Sequence, residues 1–344
     1  MLKKHSTNYI RMSITGPSSY VPTMISFESH WQEANARLGV PHPYLVRLSD
    51  GNTTMAQAQF AALRGSLQAQ QNAVQLCLAQ QQVARGNINL KKAGLLEQFA
   101  LFASVLDGYF QNTEFYAMRP AAPGFNDGQE TFSRPLGEMM NLWTEINAGP
   151  APAGVTLPLT LSDGTTQGSF ASALSALQFA YAAEEAKLTK VGLARAKRNL
   201  LQRKAYEAMK GYREGAVNAF RAFPELLATL PRLTPLPGHT PAAVAASAVF
   251  EAPDQTRVVY AASAEALLHS YQLRGNVGEH YDEADAVVLA THGPNDPREF
   301  VTPFGLTQPG ARIALKVFVI LQTENEAGSA PLLVERPLAL PLAA

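Results

Sequence analysis

The tightest constraint on this chain is that most of it is written twice. Trp31 stands in "WQEANA" and Trp143 in "WTEINA", so Trp, Glu, Asn and Ala recur in order 112 residues apart. "LSDGNTTMAQAQF" from Leu48 is followed 113 residues later by "LSDGTTQGSF" from Leu161. Phe60 with Phe170, Ala84-Arg85 with Ala194-Arg195, Asn89-Leu90 with Asn199-Leu200 and Phe110 with Phe220 then match at a shift of 110, and Pro123-Gly124 with Pro237-Gly238 at 114. Landmarks in fixed order with a drifting offset mark an internal duplication with small loop insertions.

Both copies share one grammar. A short helix carrying the Trp motif, at 24–38 and 135–147, ends at Gly39 or Gly149, where glycine can take the left-handed cap conformation. A proline-containing link leads to Leu-Ser-Asp-Gly, and a long helix follows. From Phe60, every seventh residue is Leu67, Val74, Gln81, Ile88, Leu95, Phe102 and Tyr109. That apolar stripe holds register through Gly86, which favours one long helix over a hairpin turning there. The second stripe has Phe170, Leu177, Val191, Ala205 and Tyr212, interrupted by Glu184 and Arg198, and no proline occurs between Asp163 and Phe223. A hairpin turning between Val191 and Asn199 is its alternative.

After "LPRLTPLPGHTPAAV" the pattern changes to short β runs: "RVVYAAS" from Arg257, "SYQLRG" from Ser270, "AVVLATH" from Ala286, "EFVTPFGL" from Glu299, "RIALKVFVIL" from Arg312 and "PLLVERP" from Pro331. In "ALKVFVIL" both alternating sets are apolar, which predicts a strand covered on both faces. The strand "KVFVILQTENEAGSAPLLV" with its turn at Asn325, Gly328 and Ser329, together with "SYQLRG", resembles a fibronectin type III domain over 247–337. Val317 stands where that family usually has a tyrosine, and Tyr260 near its usual tryptophan. The resemblance implies a seven-strand sandwich used for spacing or binding, without catalytic machinery.

The expected fold class is therefore multidomain, α plus all-β: a duplicated long-helix, coiled-coil-like bundle followed by a fibronectin III-like β-sandwich. The expected divisions are an N-terminal arm at 1–20, helical repeats at 21–132 and 133–240 packed as one bundle, and the sandwich with its tail at 245–344. The bundle is expected to hold the sandwich at a distance.

Composition narrows the function. With 28 basic and 28 acidic residues the net charge is zero, so no global field draws nucleic acid or anionic lipid. The single cysteine, Cys77, cannot close an internal disulfide and reads as a small buried hydrophobe. A basic start without an apolar run after it, and the lack of any 18- to 20-residue apolar stretch, point to a cytoplasmic, membrane-free protein, with export by another route left open.

Candidate sites each have a plainer reading. Asp50 and Asp163 could pair as acids across the bundle, but Asp-Gly makes a turn and Thr53, Thr54, Thr165 or Thr166 can cap the helix that follows. Trp31 and Trp143, beside Glu33, Glu145, Asn35 and Asn147, could stack on a sugar; on a helix beside an apolar stripe they anchor a core. His280, Asp282, Glu283 and Asp285 in "GEHYDEADA" could hold a metal, but lack calcium-loop spacing and read as a solvated loop. His292 reads as a turn residue. Lys197, Arg203 and Lys204, with Arg198, form the densest basic run and read as a solvated helix face. Phosphate loops, nucleophile elbows and zinc spacings are absent from the sequence. The expectation is a protein without cofactor or metal that is not an enzyme: a structural or interaction protein that forms homo-oligomers or engages a protein partner. A carbohydrate- or protein-binding adhesion module is the alternative, and an enzyme with a site between the repeats the third reading.

Overall fold

Each long apolar stripe folds as one uninterrupted helix. In the computed structural model, which describes residues 13–39, 43–48, 53–307 and 309–337, a 3₁₀ turn at Pro17–Ser19 opens into α1 (Tyr20–Leu38). A two-residue hairpin, β1 (Val46–Arg47) and β2 (Thr54–Met55), precedes α2 (Gln57–Tyr109). After α3 (Glu114–Ala117) and α4 (Gln129–Ala148) comes α5 (Gln167–Ala219), then α6 (Pro224–Ala228). α2 and α5 are each 53 residues long, and neither breaks at Gly86 or between Val191 and Asn199. The interior helical hydrogen bonds and the buried stripe outweigh the roughly 1 kcal/mol that a mid-helix glycine costs.

Helix ends differ from expectation in instructive ways. α4 starts six residues before Pro135 and runs through it. The lost amide bond is offset by burial of Phe132, whose ring Lys92 Nζ approaches to 4.6 Å from the centroid. Gly39 has φ 76° and needs glycine, whereas Gly149 has φ −87°, a conformation any residue adopts. Gly149 is constrained by space instead, since a Cβ there would meet the Phe115 ring at 3.2 Å.

The described residues divide into two compact units, one drawn from the chain before Gln80 and after Thr189, the other being Gln80–Thr189. In the second, α4 lays Phe132, Leu136, Met139, Trp143 and Ile146, an i, i+4, i+7 face, onto the end of α2 and the start of α5. Trp143 lies 5.1 Å from Phe102 and 6.1 Å from Phe170 between ring centroids. In the first unit, α1 does the same with the start of α2 and the end of α5: Trp31 lies 5.7 Å from Phe60 and 5.0 Å from Tyr212. Phe60 corresponds to Phe170 and Tyr212 to Phe102, so the duplication written in the sequence is reproduced in the packing of each core. The heptad stripe is buried at Phe60, Leu67, Val74, Ile88, Leu95 and Phe102, but Tyr109 is 53% exposed and Phe110 takes the last core position.

The β region belongs to the first unit. β3 (Ala246–Glu251), β4 (Gln255–Tyr260) and β7 (Glu299–Thr302) make one antiparallel sheet. The other has the order β10 (Leu332–Glu335), β8 (Arg312–Leu321), β5 (Leu268–Val277), β6 (Val287–His292), with β9 (Glu326–Gly328) also on β8. Val258, Tyr260, Tyr271, Leu273, Phe300, Ile313, Val317 and Val319 fill the layer between them. β8 is covered on both faces, as its two apolar sets predict. β3 was not among the expected strands because alanines and a serine mask its alternation.

The proline-rich passage before β3 is pinned rather than loose. Leu233 O accepts from Ile14 N at 3.0 Å, Leu236 N donates to Thr323 O at 2.9 Å, and Asn325 Nδ2 donates to Leu236 O at 2.9 Å. The sandwich is not held at a distance: the outer face of its β5–β8 sheet packs directly on the helices of its own unit, through the polar junction described next.

Candidate functional site

The acidic loop between β5 and β6 and the basic run of α5 meet each other. Asp285, its side chain 1% exposed, accepts Arg198 Nη1 at 2.6 Å and Arg195 Nε at 2.9 Å, with a second short bond from Arg195 Nη2. Asp282 Oδ2 lies 3.9 Å from Arg195 Nη2. α2 joins through Gln75, whose Nε2 donates to Asp285 O at 2.6 Å and whose Oε1 accepts Val277 N at 3.1 Å. α5 thus holds the Asp285 carboxylate, while α2 holds the same residue's main-chain carbonyl and, through Gln75, the end of β5. The hydrogen bond from Arg195 to Asp285, above all, holds that guanidinium's pKa above its usual value.

A second ion cluster covers the neighbouring sheet face. Arg274 on β5 is fully buried, donates to Glu326 at 2.9 and 2.5 Å and to Gln272 Oε1 at 2.6 Å, and stacks 4.0 Å from the Phe318 ring centroid. Burial pulls the Arg274 pKa down, but the hydrogen bonds and charges of Glu326, with Glu283, more than reverse it. Glu283 in turn accepts Ser18 Oγ at 3.2 Å and Tyr281 Oη at 3.0 Å, and burial beside Glu283 drives the Tyr281 hydroxyl's pKa strongly upward. The buried Arg274 is thus paired with carboxylates of opposite charge and hydrogen-bonded, as an ion out of water must be.

Two expectations are therefore corrected. The loop is not simply solvated, since Asp285 is buried, and Arg198 and Arg195 leave the solvated basic face for the junction; Lys197, Arg203 and Lys204 stay exposed. Arg198 is the residue that interrupts the second heptad stripe, and a charge at a stripe position was the sequence signal for this site. Among the ligand candidates, His280 is exposed and uses its carbonyl to accept Asn276 Nδ2 at 2.9 Å, while Asp282 Oδ1 accepts the Ala284 amide at 2.9 Å. No group of three or more His, Cys, Asp or Glu among the described residues is arranged to hold a metal ion.

Trp31 and Trp143 are wholly buried and serve as clamps. Trp31 Nε1 donates to Tyr44 O at 3.0 Å and Trp143 Nε1 to Leu159 O at 3.2 Å. One helical turn later, Asn35 Oδ1 accepts Tyr44 N at 2.9 Å and Asn147 Oδ1 accepts Leu159 N at 2.7 Å. Each Asn also donates to the residue that starts the long helix, Gln57 or Gln167. The repeated Trp-x-x-x-Asn spacing thus fixes the link to the helix start, and neither indole face is open to a sugar.

Asp163 makes the turn. Its carboxylate accepts Thr165 N at 2.9 Å and Thr165 Oγ1 at 2.7 Å, which holds its pKa below the ordinary carboxylate value. Thr166 caps α5 by accepting Ser169 N at 3.2 Å. In the first copy the side chain at the helix start is Gln59, whose Oε1 accepts Ala56 N at 2.8 Å, rather than a threonine. Asp50 lies outside the described residues. Cys77 is half-buried in α2, and His292 ends β6 with its ring 4.1 Å from that of Phe300.

Sequence reasoning missed a buried polar pair in the first core. His30 Nε2–H donates to Leu226 O at 2.8 Å, so Nδ1 is the acceptor for the Tyr212 hydroxyl at 2.7 Å. Burial raises the Tyr212 pKa and pushes that of neighbouring Tyr44 up to about 12. The second core has Leu142 and Phe102 at these places, so the pair is a divergence between the two cores.

No helix among the described residues is long and apolar enough to cross a membrane. No protein-family model matches the chain. No curated protein matches it. Among solved structures, a fibronectin type III-like protein from Clostridium thermocellum is 15% identical over 30% of this chain and 100% of that one, with a TM-score of 0.24. The fibronectin type III domain of human contactin 1 is 15% identical over 32% of this chain and 87% of its own, at 0.25. A pectate lyase from Erwinia chrysanthemi, solved with tetragalacturonic acid, is 13% identical over 27% and 28%, at 0.23. Likenesses of this size carry no argument about what the chain does.

Proposed function

We propose that this chain is a non-enzymatic structural and interaction protein that self-assembles and carries a fibronectin III-like sandwich on a rigid helical mount. One observation carries the reading: Asp285, Asp282, Arg195 and Arg198, the charged groups most suggestive of a ligand or partner site, are engaged with each other in fastening the sandwich to α2 and α5. A fixed mount supports a role in which relative geometry, rather than turnover, is what the protein supplies. The strand orders β3-β4-β7 and β10-β8-β5-β6, three strands facing four, support the fibronectin III-like reading of the sandwich.

The binding-module alternative draws support from the outer face of the three-stranded sheet. There Val249 and Val301 flank Arg257 in register, with Val259 beside them, and all three valines are about half exposed. That face suits a protein partner better than a carbohydrate. Electron microscopy and light scattering on the purified protein test the proposal: discrete oligomers or filaments are expected, and a monomer at every concentration would sink self-assembly.

A further inference from the structure

Between Lys190 and Lys204, α5 carries six cations and no acid: Lys190, Arg195, Lys197, Arg198, Arg203 and Lys204. Asp285 and Asp282 neutralise Arg195 and Arg198. The other four are exposed, and among the described residues none of them pairs with a carboxylate. In a chain whose total charge is zero, this is a local excess that the fold leaves unanswered. The whole segment belongs to the first unit, which takes in the chain after Thr189.

Three of those four cations share a stripe with exposed leucines. Lys190, Leu193, Lys197, Leu200 and Lys204 follow one another in alternating steps of three and four residues. At about 100° per residue they fall within about 80° of each other, centred about 120° round the helix from Arg198. Leu193 is 62% exposed and Leu200 46%. Leucines left in water at this spacing, with lysine stems alongside, form the kind of surface on which an amphipathic helix lays its apolar face. Unanswered charge is what sets this stripe apart from other exposed leucines, such as Leu76 on α2 among its glutamines. Seven residues rise about 10 Å, more than the ~8 Å over which physiological salt screens exposed charges, so each lysine calls for its own carboxylate.

We propose that this stripe of α5 is a docking site for an acidic amphipathic helix of a different protein, with carboxylates set against Lys190, Lys197 and Lys204 and apolar side chains seated on Leu193 and Leu200. Charge complementarity gives the sign of the partner, and Glu207 gives its class. Glu207 is exposed and takes the stripe position seven residues after Leu200. A phosphate backbone or an anionic lipid surface, negative throughout, is repelled there, whereas a helix can set a lysine or arginine opposite it. Tyr206, the exposed aromatic ring of this segment, lies about 160° round the helix from the stripe, so bases would find nothing on it to stack against. A second copy of this chain does not fit either. Exposed acids stand seven apart on a helix at Glu138 and Glu145 and at Glu207 and Glu214, but the stripe position between them is Asn141 or Lys210 rather than an apolar residue. The contact is therefore separate from self-assembly.

The test is fluorescence anisotropy on the full chain. The probe is a labelled synthetic helical peptide about four turns long, with glutamate and leucine on one face at the same three- and four-residue steps and a lysine at one end of that face. It should bind, and added salt should weaken it. Lys197→Glu with Lys204→Glu should weaken it about tenfold or more, and Leu193→Ser with Leu200→Ser should do the same. Arg203→Glu makes the same change in charge as Lys197→Glu but lies off the stripe, and should cost clearly less. If the double variants lose helicity by circular dichroism, Lys197→Gln with Lys204→Gln decides. Equal binding of a scrambled peptide, equal effects of Arg203→Glu and Lys197→Glu, or no binding by the helical peptide would overturn the proposal. Tighter binding of phosphatidylserine vesicles or single-stranded DNA than of the peptide would overturn it too. Sedimentation of the chain alone should be the same with and without the lysine substitutions; an oligomer that they dissolve would give the face to self-assembly and remove the partner helix.

Discussion

Asp285 offers the sharpest quantitative test of how the sandwich is attached. Replacing it with alanine leaves Arg198, whose side chain is 5% exposed, as a buried cation without a counter-charge. Removing one partner of a buried ion pair costs about 3–5 kcal/mol, because the orphaned charge keeps its desolvation penalty. Arg195 is 39% exposed, so solvent screens its loss and adds no more than about 1 kcal/mol. The bond from Gln75 to Asp285 O is made to the main chain and survives the substitution. Asp285→Ala should therefore cost about 3–5 kcal/mol, and Asp285→Ala with Arg198→Met should recover to within about 1 kcal/mol of wild type, since the pair is then replaced by apolar atoms. Urea unfolding in a Trp143→Phe background, with Trp31 as reporter, gives the free energies. Amide exchange should show lost protection concentrated around Val277 to Ala286 and Lys190 to Ala205. A cost below about 1 kcal/mol for Asp285→Ala, or no recovery in the double variant, would refute the assignment of the junction to this carboxylate.

Three further outcomes follow from other contacts. Asn147→Ala should destabilise the second core by about 1–3 kcal/mol in denaturant titrations, because the Leu159 amide and the Gln167 side chain lose their partner, and Asn35→Ala should do the same in the first. Gly211→Ala should cost about 1–3 kcal/mol despite its gain in helix propensity, since the new Cβ would lie 2.6 Å from Arg47 O, a backbone atom that cannot swing away; a stabilised variant would refute the close approach. Burial lowers the pKa of His269 in β5, so below the unfolded value of about 6.5 the unfolded chain takes up a proton that the folded chain refuses. Stability should therefore fall as pH drops from about 6.5 towards the folded pKa, and His269→Gln should flatten that part of the profile in thermal melts.

Helices and repeats were legible because their signals are local. The heptad stripe from Phe60 to Phe102 specified α2 as one helix, and matching landmarks at a shift of 110 specified that α5 would copy it. Trp31 and Trp143 read correctly as core residues, though what the accompanying Asn35 and Asn147 do emerged only from the crossing segments at Tyr44 and Leu159. The junction was not legible. Arg198 and Asp285 are 87 residues apart, and each run taken alone has the composition of a solvated surface. Only Arg198's place on an apolar stripe hinted at burial, and nothing local says which distant carboxylate will neutralise it. α4 was shortened because a proline normally marks a helix start, and β3 was passed over because small residues give weak alternation.

Each helical core takes its Trp helix and the beginning of a long helix from one copy, and the end of a long helix from the other. Phe60 and Tyr212, or Phe170 and Phe102, meet around one indole only if both copies are present. A single repeat, excised as a fragment, would have no end-helix to close over its own tryptophan and would have to borrow one from a second molecule. A chain that carries both repeats supplies within itself what two separate repeats would have to exchange. With both repeats in one chain that closure is intramolecular, and the two cores differ in detail: His30 and Tyr212 pair in one where Leu142 and Phe102 stand in the other, and α5 carries Arg198 where α2 has Ile88.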